Sequence, residues 1–109
     1  MAKKAFKVVL GDKTGFQRVL KGSPQTTGMK SGQLILLPGE SVGKHDTADR
    51  EEALLIIEGQ ALVSYGKRGK IKASALSVIY IPPRTEHDVL NSGKDVLRYV
   101  YVVTAETIV

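Results

Sequence analysis

Three side chains in two separated segments have the chemical types that bind a divalent metal ion. The chain has two histidines, His45 and His87, and the carboxylate of Glu52 follows the first of them closely. Imidazole nitrogens and carboxylate oxygens bind transition metals when rigid elements hold them so that they converge. If the two segments pair in the fold, a set of two histidines and one carboxylate is available. A histidine beside Asp46 in a loop is also an ordinary surface residue, so the composition leaves both interpretations open.

Short apolar runs, separated by Gly, Pro, Asn and Ser, dominate the rest of the chain. Their length and their β-branched residues are typical of strands. Turn residues recur between them at regular spacing, which predicts an all-β sandwich or barrel. The runs are 33–37, 53–57, 61–65, 76–81 and 96–103.

The last of these runs has two apolar faces. Strand periodicity places alternate residues on the same face, so this run is covered on both sides or contacts another subunit. One face carries Leu97, Tyr99, Tyr101 and Val103, and the other carries Arg98, Val100 and Val102.

A helix competes with a strand only around residues 53–57. Asp49 could cap a helix with Glu52 three residues later, and Gly59 could end it. Residues 53–57 have no polar face for water, however, and their neighbours are predicted strands. The two interpretations are close to even, and the neighbouring strands favour a strand.

Composition and charge exclude several classes of protein. The chain has no cysteine, which rules out disulfides and thiolate metal sites. It has no apolar run of membrane-spanning length and no leader-like start, which predicts a soluble cytoplasmic protein with no membrane contact. The net charge is +5, but the basic cluster 67–70 is typical of a solvated hairpin tip. Without a nucleic-acid motif, and with few aromatic residues for stacking on bases, we predict no nucleic-acid partner.

The spacing of residues in two segments resembles a known family. The first segment contains Gly39, His45, Thr47, Glu52 and Gly59. Five, one, four and six residues, in that order, separate each of them from the next. The second segment, 82–91, has two prolines, then a histidine, three residues and an asparagine. In this order, and joined by a short strand–turn–strand linker, the segments resemble the two motifs of the cupin superfamily.

The resemblance implies a double-stranded β-helix, which is a small jelly-roll barrel, and therefore a strand at 53–57. It predicts one cupin domain over 1–109, with an N-terminal strand segment at 1–30 and a barrel core at about 31–104. It also implies that His45, Glu52 and His87 point into the barrel and bind one divalent transition metal: iron, manganese, nickel or zinc. Glu52 is preferred to Glu51 because its spacing to Gly59 fits the motif and strand alternation turns Glu51 away.

Other motif residues have expected structural roles. Gly59 would supply a turn conformation that a Cβ resists, and Pro82 and Pro83 would fix the start of the strand that carries His87. Asn91 would shape the turn that follows.

The chain departs from the family's pattern at two positions. Thr47 stands where the family has a second histidine, and Arg84 stands where its proline turn has a glycine. A threonine hydroxyl is a poor ligand for zinc or iron, so the expected protein ligands fall from four to three. Asp46 does not restore the fourth, because strand alternation turns it away from His45.

Two functions follow from the resemblance. In the first, the metal polarises or activates a small polar substrate inside the barrel, as in a dioxygenase or isomerase; the reaction and the catalytic residues are unassigned. In the second, a metal-free barrel binds a small ligand as a sensor or carrier. Thr47, Arg84 and Arg98 are the pocket candidates, and Arg50 could also meet an anionic ligand. We also predict a homodimer that pairs through residues 5–10 or through the C-terminal strand.

Overall fold

All regular structure in the described part of the chain is β-strand. The structure is a computed structural model, and it describes residues 3–105. The ends of the predicted domain, 1–2 and 106–109, lie outside the described residues. The strands are β1 (Gly15–Lys21), β2 (Lys30–Leu36), β3 (His45–Asp46), β4 (Glu52–Glu58), β5 (Gln60–Tyr65), β6 (Gly69–Ser74), β7 (Ser77–Ile81), β8 (Glu86–Asn91) and β9 (Leu97–Val103).

The strands form two antiparallel sheets. A five-stranded sheet has the order β1-β2-β9-β4-β7, and a four-stranded sheet has the order β3-β8-β5-β6. The chain crosses repeatedly from one sheet to the other, as in a jelly roll. The all-β, double-stranded β-helix fold is therefore confirmed. None of residues 3–105 belongs to a helix that could cross a membrane.

The ambiguous run 53–57 lies in strand β4. Leu54 and Ile56 are buried, whereas Leu55 and Ile57 are exposed on the opposite face. β4 pairs with β7 on one side and with β9 on the other. The run lacks a polar face because both faces of the strand carry apolar side chains. Its hydrogen bonding to a strand on each side shows that it is a strand and not a helix.

Apolar runs predicted five of the strands, and the family resemblance predicted the strand that carries His87 and a strand segment within residues 1–30. The five apolar runs correspond to β2, β4, β5, β7 and β9. Four strands lack an apolar run: β1 and β6 carry charged residues on their exposed faces, and β8 and the two-residue β3 are mostly polar. The tip of the β5–β6 hairpin falls at the basic cluster, as expected.

The core lies between the two sheets. Each strand except β1 and the short β3 places alternate side chains there, which is how a strand buries one face. The most buried apolar side chains are Leu54, Ile81, Leu97, Val63 and Val89.

Gly59 joins β4 to β5 in a conformation that other residues rarely adopt. Its φ is 93°, in the left-handed region. A Cβ at this position would overlap the carbonyl oxygen of Val96 and lie 2.8 Å from the Cα of Leu97. Gly39 has a similar φ of 86°, but a Cβ there would meet no atom within 4 Å.

We expect Gly59→Ala to destabilise the chain more than Gly39→Ala does. In both variants, an alanine in the left-handed region lowers the free energy of unfolding by about 1–2 kcal/mol. In Gly59→Ala, overpacking of the Cβ against the backbone lowers it by about a further 1–3 kcal/mol. Urea denaturation of the two variants and the parent chain measures the difference. Equal losses of unfolding free energy in the two variants would contradict the steric argument.

Candidate metal centre

The two histidines face each other across neighbouring strands. β3 pairs with β8 in the register His45↔His87. Residues directly opposite in an antiparallel pair point to the same side of the sheet. The two imidazole rings are accordingly in contact, with centroids 4.0 Å apart.

Backbone pairing extends beyond the two residues of β3. The N–H of Val42 donates to the carbonyl of Val89 at 3.1 Å, and Ser41 bridges to Leu90. The N–H of Gly43 donates to the Asp88 carboxylate at 3.0 Å. The strand that carries His45 is thus anchored to β8 along its approach.

Glu52 enters the same space from the other sheet. It is the first residue of β4, and its side chain is buried on the face that also carries Leu54. Its Oε1 lies 3.4 Å from Nε2 of His87. Glu51 is exposed and accepts a hydrogen bond from the Tyr80 hydroxyl at 2.6 Å. The structure therefore places Glu52, and not Glu51, beside the histidines.

One potential ligand atom from each of His45, Glu52 and His87 lies within 4.8 Å of the others. Nδ1 of His45 is 3.2 Å from the carbonyl of Gly43, and Nδ1 of His87 is 3.1 Å from the carbonyl of Thr85. A carbonyl only accepts, so each Nδ1 carries the proton and each Nε2 keeps its lone pair. This is the arrangement in which a backbone carbonyl fixes the tautomer of a metal-binding histidine.

His87 Nε2 is buried without a hydrogen-bond partner among the described residues. Its separation from the Glu52 carboxylate is longer than an ordinary hydrogen bond. An unpaired polar atom in a protein interior is costly, and an ion or water is a common explanation. The donor set of two imidazoles and one carboxylate fits a divalent transition metal.

Opposing effects act on the pKa of His87. Burial lowers the pKa, but the Glu52 carboxylate and the Thr85 carbonyl raise it more, with a smaller contribution from the charge of Asp46. The net result is a pKa above the ordinary value of histidine. A metal ion bound to Nε2 would displace the proton, so any such binding would weaken as the pH falls through that pKa.

Thr47 is a structural residue in this arrangement. Its side chain is buried, with 4% of the residue exposed. Its hydroxyl donates to the carbonyl of Pro82 at 2.7 Å and accepts from the N–H of Thr85 at 3.0 Å. The hydroxyl is thus committed to the turn that precedes His87. We call these contacts the Thr47 clasp.

Arg84 belongs to the same turn, and its side chain is exposed. Its φ is 52°, and its N–H donates to the carbonyl of Ala48, which has a φ of 53°. The left-handed backbone explains why the family's pattern has glycine at this position.

The structure separates Arg98 from the three clustered side chains. Arg98 lies on the outer face of the five-stranded sheet, where it contacts Asp12 at 2.7 Å, Glu58 at 3.3 Å and Gln33 at 3.3 Å. Neither Arg98 nor Arg84 lines the cavity described next.

A cavity of about 330 Å³ is lined by two of the three clustered side chains, His45 and Glu52. Its polar wall consists of His45, Asp46, Thr47, Arg50 and Glu52. Its apolar wall consists of Phe16, Leu34, Val42, Tyr99, Tyr101 and Val103.

Asp46 and Arg50 are both engaged at the rim of the cavity. Asp46 is exposed, and its carboxylate accepts from the N–H of Ala48 at 2.6 Å. Arg50 donates from Nη1 to the carbonyl of Thr104 at 3.0 Å. The sequence predicted that Asp46 turns away from His45, and Asp46 is absent from the close group of ligand atoms, although it borders the cavity.

Sequence reasoning did not identify the apolar wall as part of a site. Tyr99 and Tyr101 were predicted to share a face of β9, which was a usable signal, but nothing in the sequence joined them to Phe16. Burial raises the pKa of both tyrosines, aided by the negative charge of Glu52. Both side chains are therefore neutral phenols at physiological pH.

The sequence model of the cupin domain matches residues 32–103, which is most of the chain and includes all three clustered side chains. The chain is a cupin. Comparison with curated proteins finds no significant match.

Solved structures of low sequence identity share the fold. The cupin domain of Schizosaccharomyces pombe Cnp3 has a TM-score of 0.74 at 16% identity, over 84% of this chain; the chain spans 64% of that domain's length. A Bacillus halodurans protein has a TM-score of 0.77 at 19% identity, over 90% of this chain and 75% of its own. A predicted oxalate decarboxylase of Thermotoga maritima has a TM-score of 0.67 at 17% identity, over 90% of this chain and 98% of its own. At these identities, the likeness establishes only the cupin fold.

We expect Thr47→Val to destabilise this cupin and Thr47→Ser to preserve most of its stability. Valine removes both hydrogen bonds of the Thr47 clasp and leaves partly buried backbone groups unpaired, which costs about 1–3 kcal/mol. Serine keeps the hydroxyl and loses one methyl group, which costs about 0.8 kcal/mol. Urea denaturation in the presence of a chelator measures both. Equal destabilisation by the two variants would contradict the clasp.

Proposed function

We propose that this cupin binds one divalent transition metal through His45, Glu52 and His87. Iron, manganese, nickel and zinc all suit the donor set. The observation that carries the proposal is the buried Nε2 of His87, which has no hydrogen-bond partner among the described residues and lies beside the Glu52 carboxylate. The anchoring of both Nδ1 atoms on backbone carbonyls supports it.

We propose further that a small polar organic ligand occupies the adjacent cavity. A bound metal would supply Lewis acidity, which polarises an oxygen of such a ligand. The chain's own residues would hold that ligand between the polar wall and the aromatic wall, where the neutral phenols of Tyr99 and Tyr101 can donate or accept hydrogen bonds. Whether the reaction is of the dioxygenase or the isomerase type is left unassigned.

The proposed metal site predicts different effects at two adjacent glutamates. Glu52→Gln removes a charged ligand, and we expect metal affinity to fall at least tenfold. Glu51→Gln changes an exposed neighbour that contacts Tyr80, and its metal affinity should match that of the parent chain. Elemental analysis of protein purified without chelator, followed by titration of the stripped protein with nickel and iron, gives the content and the affinity.

Two results would contradict the metal site. One is less than about a tenth of an equivalent of metal in the parent chain after soaking with iron or nickel. The other is equal affinity in the two glutamine variants. If small organic acids then stabilised the chain in a thermal-shift screen with chelator present, the metal-free sensor or carrier would replace the metal-dependent function.

We propose that the protein is a homodimer, and its surface suggests where the subunits meet. β9 is hydrogen-bonded to β2 and β4 on its two sides, so it has no free edge for pairing with another chain. β7 is an edge strand, and its outward side chains Val78 and Tyr80 are exposed. With Leu55 and Ile57 of β4, they form an exposed apolar patch, which is typical of an interaction surface.

The homodimer proposal distinguishes this patch from the N-terminal run. Val78 is 71% exposed on β7, and Val9 is 76% exposed in the run 5–10, which forms no strand. We expect Val78→Asp to produce monomers and Val9→Asp to remain dimeric, because a buried unpaired charge opposes association. Light scattering at micromolar concentration measures the mass. A monomeric parent chain would contradict the dimer, and a monomer only in Val9→Asp would assign pairing to the N-terminal run.

A cytoplasmic location stays a prediction from the sequence.

A further inference from the structure

The cavity beside the proposed metal site has two chemically different ends. His45 and Glu52 stand at the polar end. Phe16 of β1 and Tyr101 of β9 stand on the apolar wall. The register of β4 and β9 places Glu52 opposite Val103, two residues from Tyr101. A ligand that reaches the metal therefore extends along the aromatic side chains.

Phe16 and Tyr101 form a stacked pair of rings across the intervening strand β2. Their ring centroids are 6.4 Å apart, and the ring planes differ by 17°. Gly32 of β2 lies beneath both rings: a Cβ there would overlap the Phe16 ring and lie 2.8 Å from the Tyr101 ring. The missing side chain of Gly32 is what allows the two rings to meet. We call this pair of rings the aromatic floor.

The aromatic floor is partly exposed. Phe16 is 52% exposed although it points toward the cavity side of its strand. The guanidinium of Arg18 lies 5.2 Å from the centroid of its ring. A half-exposed phenylalanine at a cavity wall gains free energy when an aromatic ring covers it, both from burial and from ring–ring contact.

The Thr47 clasp determines what the other end of the ligand must offer. Because the Thr47 hydroxyl is committed to Pro82 and Thr85, residues 3–105 offer three potential ligands in this group. A six-coordinate metal then has three open positions. Two neighbouring oxygen atoms of one molecule can fill two of these positions, and the third remains for water.

We infer that the ligand of this cavity is an aromatic hydroxy- or oxo-acid. Its two adjacent oxygen atoms bind the metal, and its ring lies on the aromatic floor. This inference rests on the proposed metal site and names the class of ligand that the site takes. The cavity volume is at the lower end of the range of about 300–1,000 Å³ for small-molecule sites, so a single ring fits better than a fused system.

Mandelate and lactate test the inference because they share a 2-hydroxycarboxylate head and differ in a phenyl ring. The full chain is loaded with cobalt(II), whose visible spectrum reports both loading and a change of ligands. Titration with each acid gives two dissociation constants. We expect mandelate to bind about tenfold more tightly than lactate, from ring burial and ring–ring contact.

Two phenylalanine variants connect this preference to the aromatic floor. Phe16→Ala should bring the ratio of the two dissociation constants close to one while leaving lactate binding within twofold of the parent chain. Phe6 is a matched control, because it is equally exposed, at 51%, and lies outside the cavity. Phe6→Ala should keep the tenfold preference.

The outcomes separate this inference from the proposed function. A chain that binds no cobalt, with no change in its spectrum, overturns the metal site and this inference with it. A loaded chain that binds both acids equally, or whose preference survives Phe16→Ala, overturns the aromatic ligand and leaves the metal site standing. Loss of the preference in Phe16→Ala alone supports the inference.

Discussion

The pairing of His45 with His87 is the constraint on which the rest of the site depends. His45 and His87 are far apart in the sequence. They face each other only because the short strand β3 pairs with β8 in one particular register. A shift by one residue would turn His45 to the opposite face. Such a short strand is weak on its own. The clasp of Thr47 on the turn before β8 and the backbone contacts of residues 41–43 hold the register from both sides.

Holding that register has a cost at the centre of the site. The approach of Glu52 from the second sheet leaves a carboxylate and an imidazole nitrogen close together in the interior, at a separation too long for a good hydrogen bond. Stability alone would favour a shorter contact or an apolar pair. Buried polar groups that are left unpaired, at a loss of stability, are typical of a binding centre. Thr47 strengthens the frame around the three clustered side chains, and its hydroxyl is not among their close group of potential ligand atoms.

The fold and the grouping of the three side chains could be predicted from the sequence, but the cavity wall could not. The motif spacing predicted that His45, Glu52 and His87 would converge; the structure brings them together, and their role as ligands stays a prediction. The role of Thr47 was out of reach because it depends on where one hydroxyl points. The floor of Phe16 and Tyr101 was missed because β1 lacked a clear strand pattern and because the rings meet only through the pairing of three strands over Gly32. Arg98 was predicted to lie near the pocket. It precedes Tyr99 in β9, so its side chain points to the outer face of the sheet while that of Tyr99 points inward.

The central position of β9 also determines the order in which the barrel can be completed. β2 and β4 are not neighbours in their sheet, and they are joined only through β9, which follows both in the chain. Until residues 97–103 are added, the two halves of the larger sheet share no backbone contact, and the aromatic wall lacks both tyrosines. The hairpin of β5 and β6 and its pairing with β8 do not require β9. The smaller sheet can therefore pair without β9. Closure of the larger sheet depends on contacts between residues far apart in the sequence, and domains dominated by such contacts typically fold more slowly than helical domains of the same size.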